Sequence, residues 1–323
     1  MQSARLHALG EALRLDTLPA PRPGPGEALV RVHACGVNFA DTLMVKGRYQ
    51  EKPALPFAPG MEVAGEVLAL GEGAAGPAPG TRVAGMTGHG GFAEEIVLPA
   101  TGLTPLPEAM PMVEAAGFIV AYGTSHLALG HRARLQPGER LLVLGAAGGI
   151  GLTAVKIGKL MGAEVIACAR GADRLAVAKA RGADHVIDSE KGDLRARVKA
   201  LGGADVVYDP VGGALFSEAL RACNPEARVL PLGFASGEVP QIPANILLVK
   251  NIDVIGFYWG GYTRFRPELL AQSTATLFGW CAEGRLTPHI SNRVPLAQAD
   301  AALALLAERK ATGKVVVTMP CCA

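Results

Sequence analysis

Along the first hundred residues, short apolar and β-branched runs alternate with turns dominated by proline and glycine. The runs 28–34, 63–70 and 93–98 read as strands, punctuated by the turn-rich segments 21–26 and 71–80. An irregular, mostly β N-terminal unit is expected. From about residue 140 the texture changes, and apolar runs at 141–144, 164–169, 185–187, 205–208, 228–232 and 252–257 are spaced by Ala-, Lys- and Arg-rich helical stretches. Strands that are apolar throughout are covered on both faces, so six of them with helical spacers predict an α/β fold with a doubly wound parallel sheet. Beyond Pro267 the alternation stops: a helix to about residue 283, a second over 296–309 and a last strand over 314–318 are expected. They either rejoin the N-terminal unit or stand as a third small domain, and about 55 residues make only a marginal independent core.

A chain of 323 residues fits about two domains. Half of it is hydrophobic, and its 41 Gly and 23 Pro sit among patterned segments, which excludes a disordered chain. Lys plus Arg (31) nearly balances Asp plus Glu (29), so the net charge of +2 carries no electrostatic footprint for nucleic acid or a membrane surface. A small-molecule partner is the expectation. The opening residues Met-Gln-Ser-Ala-Arg lead into no secretory-type apolar run, and the apolar stretch 115–130 is broken by Gly117, Thr124, Ser125 and His126. A cytoplasmic location is therefore expected. Cysteines 35, 168, 223, 281, 321 and 322 form no CxxC pair and read as scattered reduced thiols, with Cys321 and Cys322 expected to be frayed and prone to oxidation.

The sharpest local signal is Leu141-Leu-Val-Leu-Gly-Ala-Ala-Gly-Gly-Ile-Gly151, a strand running into a glycine-rich turn that opens a helix over 152–161. Such a turn aims backbone N–H groups and a helix N-terminus at a pyrophosphate. Ala146 stands where G-x-G-x-x-G has its first glycine, leaving Gly148 for close backbone approach and Gly151 for helix–strand packing. Ala147, Gly148, Gly149, Ile150 and Gly151 are the candidate cofactor contacts. The next strand ends in Ala169 and Arg170, with no carboxylate for the ribose hydroxyls of NADH. Arg170 and Arg174 are placed to pair with a 2′-phosphate, which favours NADPH; alternatively they are solvated residues of a helix start, with Asp173 competing for them. No Ser or Cys occupies a strand-to-helix elbow, so hydrolysis is disfavoured, and the seven histidines lack metal-type spacing.

The run Cys35-Gly-Val-Asn38-Phe-Ala-Asp41 through Tyr49, with Leu55-Pro-Phe-Ala-Pro-Gly60-Met61-Glu62, adds a second set of motifs. Further segments are Ala121-Tyr-Gly-Thr124, Asp205-Val-Val-Tyr-Asp-Pro-Val-Gly-Gly213, Leu232-Gly-Phe-Ala-Ser-Gly237 and Gly313-Lys-Val-Val-Val317. Together they resemble the zinc-independent quinone oxidoreductase (zeta-crystallin-like) branch of the medium-chain dehydrogenase/reductase superfamily over essentially the whole chain. The resemblance implies a GroES-like catalytic domain from 1–120 and 262–323 and a Rossmann NADP(H)-binding domain over 121–261, with substrate in the cleft between them. It also implies a homodimer joined through residues 251–257, and an apolar edge strand would independently invite such pairing.

In the zinc-dependent sister branch the catalytic ligands would fall at Asn38, Met61 and Ala116, none of them a competent zinc donor. The chemistry implied is metal-free hydride transfer from NADPH to a quinone. A 2-alkenal, enone or enoyl-thioester reductase is the alternative, with Arg48, Lys52, Arg264 and Arg266 as a basic entrance for a thioester's phosphates. A third reading is an NADPH-binding sensor with nucleic-acid affinity. By resemblance Asn38 and Tyr49 lie beside the nicotinamide and the substrate carbonyl, with Tyr49 either a proton donor or an aromatic cover. Asp41 is a catalytic candidate or, alternatively, a helix cap. Thr124, Ser189, Gly233, Phe234, Phe257, Trp259 and Lys314 complete the implied cofactor contacts. For Lys314 the alternative is a solvated edge residue, and for the Phe257–Trp259 segment it is packing at the dimer interface.

Overall fold

The longest strand, Glu27–Val37, begins with alternating burial and ends buried on both faces, so it must lie at the centre of a sheet. A computed structural model, which describes residues 1–320, places it there; Cys321 and Cys322 lie outside the described residues. The seven-stranded sheet runs Ile290–Pro295, Lys314–Thr318, Glu27–Val37, Glu62–Leu70, Arg82–Met86, Leu103–Pro105, with Glu95–Pro99 also paired to Glu27–Val37. Its register sets which residues meet: Val37 faces Val315 across one ladder and Gly36 faces Glu62 across the other. Val30, Val32, Met44, Phe57, Phe92 and Val315 form part of the core beneath, and each such side chain contributes roughly 1.5–3 kcal/mol by leaving water.

The chain divides into two compact units, Met1–Val120 with Phe278–Ala323, and Ala121–Leu277. The C-terminal strand thus joins the first unit, whereas residues 262–277, expected with it, stay with the second. Side-chain contacts explain the shift. Tyr262 packs its ring on Phe257 and His131, and Ser273 Oγ lies 2.8 Å from His126 Nδ1.

In the second unit six strands run parallel in the order His185–Asp188, Glu164–Ala169, Arg140–Leu144, Ala204–Asp209, Cys223–Pro231, Asp253–Val254. The first strand in sequence therefore lies in the middle, and the chain switches direction of winding beside it, which is where an open α/β sheet binds ligands. The sixth strand is shorter than the expected 252–257. Ile255 N–H still donates to Val229, but the Gly256 carbonyl accepts from the Arg132 guanidinium at 3.1 Å and leaves the ladder. The helix after the glycine-rich turn starts at Gly149 rather than at residue 152. Among the described residues no helix is long and apolar enough to cross a membrane.

Candidate active site

Asn38 precedes the short helix Phe39–Met44 and Asp41 lies in its first turn. The Asp41 carboxylate is fully buried and accepts from Asn38 N–H at 2.7 Å and from Gly60 N–H at 3.0 Å. Burial raises its pKa to about 6, against the opposing pull of those two donors. Among its two sequence readings this is the cap, with the carboxylate spent on backbone amides rather than presented for chemistry. Tyr49 follows Gly47 (φ +66°) in a bend, half-buried, with its ring against the core of the first unit.

The cross-strand register brings Lys314, Asn38 and Glu62 together. Lys314 is 4% exposed, and its Nζ donates to Val37 O at 3.0 Å, Asn38 Oδ1 at 2.7 Å and Glu62 Oε1 at 2.8 Å. Asn38 Nδ2 donates to the same Glu62 Oε1 at 3.0 Å, and Val120 N–H donates to Glu62 Oε2 at 2.9 Å. Two glycines make room for this cluster. A Cβ on Gly36 would lie 2.7 Å from Glu62 Oε1 and 2.3 Å from Ala116 O; one on Gly117 would lie 3.3 Å from Lys314 Cβ and Cε. Lys314 is therefore not a solvated edge residue. Its three N–H groups are all taken up inside the first unit, by Val37, Asn38 and Glu62. Glu62, given no role of its own in the sequence analysis, is the centre of the cluster; a carboxylate at the buried start of the strand Glu62–Leu70 was the available signal.

In the second unit the glycine-rich turn is built by close approach. Gly145 has φ +60°, and a Cβ on Gly151 would stand 2.2 Å from the Gly145 carbonyl oxygen, so the helix can pack here only with glycine. Leu152 N–H is the first to donate back along the helix, to Gly148 O, which leaves the amides of Gly149, Ile150 and Gly151 without an acceptor among the described residues at a helix N-terminus. Ala147 is buried while Gly148, Gly149 and Ile150 remain partly accessible. This turn fits a dinucleotide pyrophosphate.

At the end of the second strand Ala169 is buried and Arg170 exposed, with no ion pair among the described residues; Arg174 is half-buried on the following helix. Asp188 accepts from Gly171 and Glu190 N–H groups, each at 3.1 Å, which holds its pKa below the usual carboxylate range. Ser189 opens the short turn beyond it. Elsewhere in this unit Trp259 lies over Gly123, whose Cβ would meet the indole at 2.9 Å. Trp259 is buried and its Nε1–H has no hydrogen-bond partner among the described residues, a donor left orphaned over Gly123. Phe257 packs on Tyr262, Gly233 lies near Pro210 O, and Phe234 is exposed. A buried hydroxyl cluster, unmarked in the sequence, joins Ser125 Oγ to Thr153 Oγ1 at 2.7 Å and to Tyr208 Oη at 2.8 Å. His126, bonded to Ser273, has its pKa lowered by burial and is a packing residue.

Family models agree with this division: an alcohol dehydrogenase GroES-like domain matches residues 24–108 and a zinc-binding dehydrogenase matches residues 149–274. The quinone oxidoreductase-like protein 2 homolog of Nematostella vectensis is 42% identical over 308 residues, covering 94% of this chain and 84% of that protein. The quinone oxidoreductase of Thermus thermophilus, solved alone and with NADPH, is 36% identical with a TM-score of 0.88, covering 98% of this chain and 100% of that one. The chain belongs to the zinc-independent quinone oxidoreductase branch of the medium-chain dehydrogenase/reductase superfamily. The Escherichia coli quinone oxidoreductase complexed with NADPH is 28% identical with a TM-score of 0.91, over 98% of this chain and all of that one.

The name of the second family model raises zinc, and the residues here do not fit it. Among the described residues no three His, Cys, Asp or Glu side chains gather as a metal site. Of the positions where the sister branch would carry ligands, Asn38 is committed to Lys314 and Glu62, and Met61 and Ala116 offer a buried thioether and a methyl group.

Proposed function

We propose that this oxidoreductase reduces a quinone with NADPH and without a metal ion. The observation that carries the reading is likeness over nearly the whole chain to quinone oxidoreductases solved with NADPH. The geometry of the second unit supports it. The free amides of Gly149, Ile150 and Gly151, beside Ala147 and Gly148, bind the pyrophosphate, and Arg170 with Arg174 takes the 2′-phosphate, since the strand end carries no carboxylate. Ser189 serves the adenosine half; Thr124, Gly233, Phe234, Phe257 and Trp259 border the nicotinamide, where the orphaned Trp259 Nε1–H gains an acceptor.

When bound, NADPH supplies the hydride. A quinone is already electron-poor, so no Lewis acid is needed to polarise it. Asn38 orients an acceptor oxygen with its amide, and Tyr49 holds the proton that the reduced oxygen takes up. The alternative enoyl-thioester substrate is weakened by one contact: Arg266, one of the four residues of a basic entrance, is paired with Glu268 at 2.6 Å.

Two further parts belong to the proposal. The sixth strand, Asp253–Val254, leaves a sheet edge beside the helix Ala244–Lys250, on which Leu248 is 80% exposed, and we assign this apolar edge to a homodimer contact. The free, buried thiols of Cys35, Cys168 and Cys223 suit a reducing cytoplasm. The test is steady-state oxidation of NADPH and NADH by chelator-treated protein, with benzoquinone, phenanthrenequinone, an alkenal and crotonyl-CoA as parallel acceptors. Quinone turnover with NADPH preferred supports the reading. Preference for the alkenal or thioester replaces the substrate class, and tight NADPH binding without turnover favours a sensor.

A further inference from the structure

Asparagine side chains are ambiguous acceptors and donors, because an amide can rotate by half a turn and exchange its oxygen for its nitrogen. Around Asn38 that freedom is removed by two charged neighbours. The Lys314 ammonium can only donate and lies 2.7 Å from Oδ1; the Glu62 carboxylate can only accept and lies 3.0 Å from Nδ2. Turning the amide over would set N–H against ammonium and oxygen against carboxylate.

The two charges also hold each other at 2.8 Å, and their remaining capacity is used: Lys314 reaches Val37 O and Glu62 Oε2 accepts from Val120 N–H. Both are buried, at 4% and 1% exposure, so neither is screened by water and neither moves cheaply. Gly36 and Gly117 keep the space around the pair free of side chains. A fully satisfied ion pair, paired also with a single amide, has the form of a clamp on that amide.

We propose that Lys314 and Glu62 are positioning residues that lock the Asn38 amide in one orientation, so that its second Nδ2–H is permanently offered as a donor to the oxygen of the hydride acceptor. That hydrogen has no acceptor among the described residues, whereas the first is held by Glu62. The proposal rests on the placing of Asn38 beside the acceptor. It differs from a direct role for Lys314, whose donors are spent, and it explains why a cation is kept in a buried strand end without touching the reacting groups.

The test uses Lys314→Met, which keeps the length of the side chain and removes the charge, alone and combined with Asn38→Ala. The Asn38 side-chain amide is followed by nuclear magnetic resonance of nitrogen-labelled protein, its signal assigned by loss in Asn38→Ala. One Nδ2–H protected from solvent exchange in the parent and less protected in Lys314→Met, where Glu62 alone still holds the amide, is expected, and this readout does not depend on any acceptor. In turnover, Lys314→Met is expected to lower kcat about tenfold with the KM for NADPH unchanged, and to add no further loss to Asn38→Ala. Unchanged amide protection in Lys314→Met overturns the clamp, and so do losses that multiply. If no quinone is turned over by the parent protein, the quinone reading fails while the amide measurement still decides the clamp. Should Lys314→Met leave Glu62 uncompensated and unfold the protein, Lys314→Met with Glu62→Gln removes both charges. That variant is expected to fold with an unprotected amide, and a protected one would refute the proposal.

Discussion

Replacing Asp41 by Asn removes a carboxylate whose charge is opposed by burial, and the effect is set by how far the ionisation is displaced. The folded protein raises the Asp41 pKa from 3.8 to about 6, chiefly through desolvation, with Asn38 and Gly60 N–H groups pulling the other way. At about 1.4 kcal/mol per unit, the displacement corresponds to about 3 kcal/mol. Between these two values the folded state holds the proton that the unfolded chain has lost, so this group's contribution to stability falls as pH rises from about 4 to about 6 and is flat above. The amide introduced by Asp41→Asn cannot titrate. It also accepts from only one of the two backbone donors and turns its NH2 toward the other, a pH-independent cost of about 1–3 kcal/mol. Urea unfolding of parent and Asp41→Asn protein across this range should show the parent's advantage shrinking by up to about 3 kcal/mol on going from about pH 4 to about pH 7. Ionisations common to both proteins cancel in the difference. A gap that stays constant, or widens with rising pH, would refute the assignment of Asp41 as a carboxylate held against its own burial.

Gly151→Ala sets a Cβ 2.2 Å from Gly145 O, and should cost about 1–3 kcal/mol in urea unfolding and weaken NADPH binding in a fluorescence titration; unchanged values for both would show that the turn opens freely. Arg170→Ala with Arg174→Ala should weaken NADPH binding by tenfold or more, on the order of 1.5–3 kcal/mol, and NADH binding far less. Equal losses would place the 2′-phosphate elsewhere. Tyr208→Phe removes the 2.8 Å bond to Ser125 Oγ, which keeps Thr153 as a partner, so about 1 kcal/mol of stability should be lost. No loss at all would mean that the hydroxyl cluster is not held as described.

Much of the second unit was legible because a buried parallel strand leaves a continuous apolar run. The expected strand 164–169 coincides with Glu164–Ala169, and in the first unit the expected strand 314–318 coincides with Lys314–Thr318. Boundaries set by distant contacts were not legible. The last strand of the parallel sheet stops early because Arg132, 124 residues away, takes the Gly256 carbonyl. The helix after the turn starts among three poor helix formers because close packing on Gly145 overrides propensity. Within the candidate site the glycine-rich turn was readable, since free amides follow from local chain geometry alone. Lys314 was not. A lysine at a strand end is usually solvated, and here its acceptors are supplied by Val37, Asn38 and Glu62, brought to it by a register between strands some 250 residues apart or more.

The central claim, metal-free hydride transfer from NADPH to a quinone, is tested most directly by a single turnover. Protein dialysed against a chelator and loaded with NADPH is mixed rapidly with benzoquinone while the nicotinamide absorbance is followed, with NADPH deuterated at the transferred position as a parallel sample. The account predicts loss of the reduced nicotinamide without added metal, slowed by the deuterium. No loss until zinc is restored, or no loss under either condition, would contradict it.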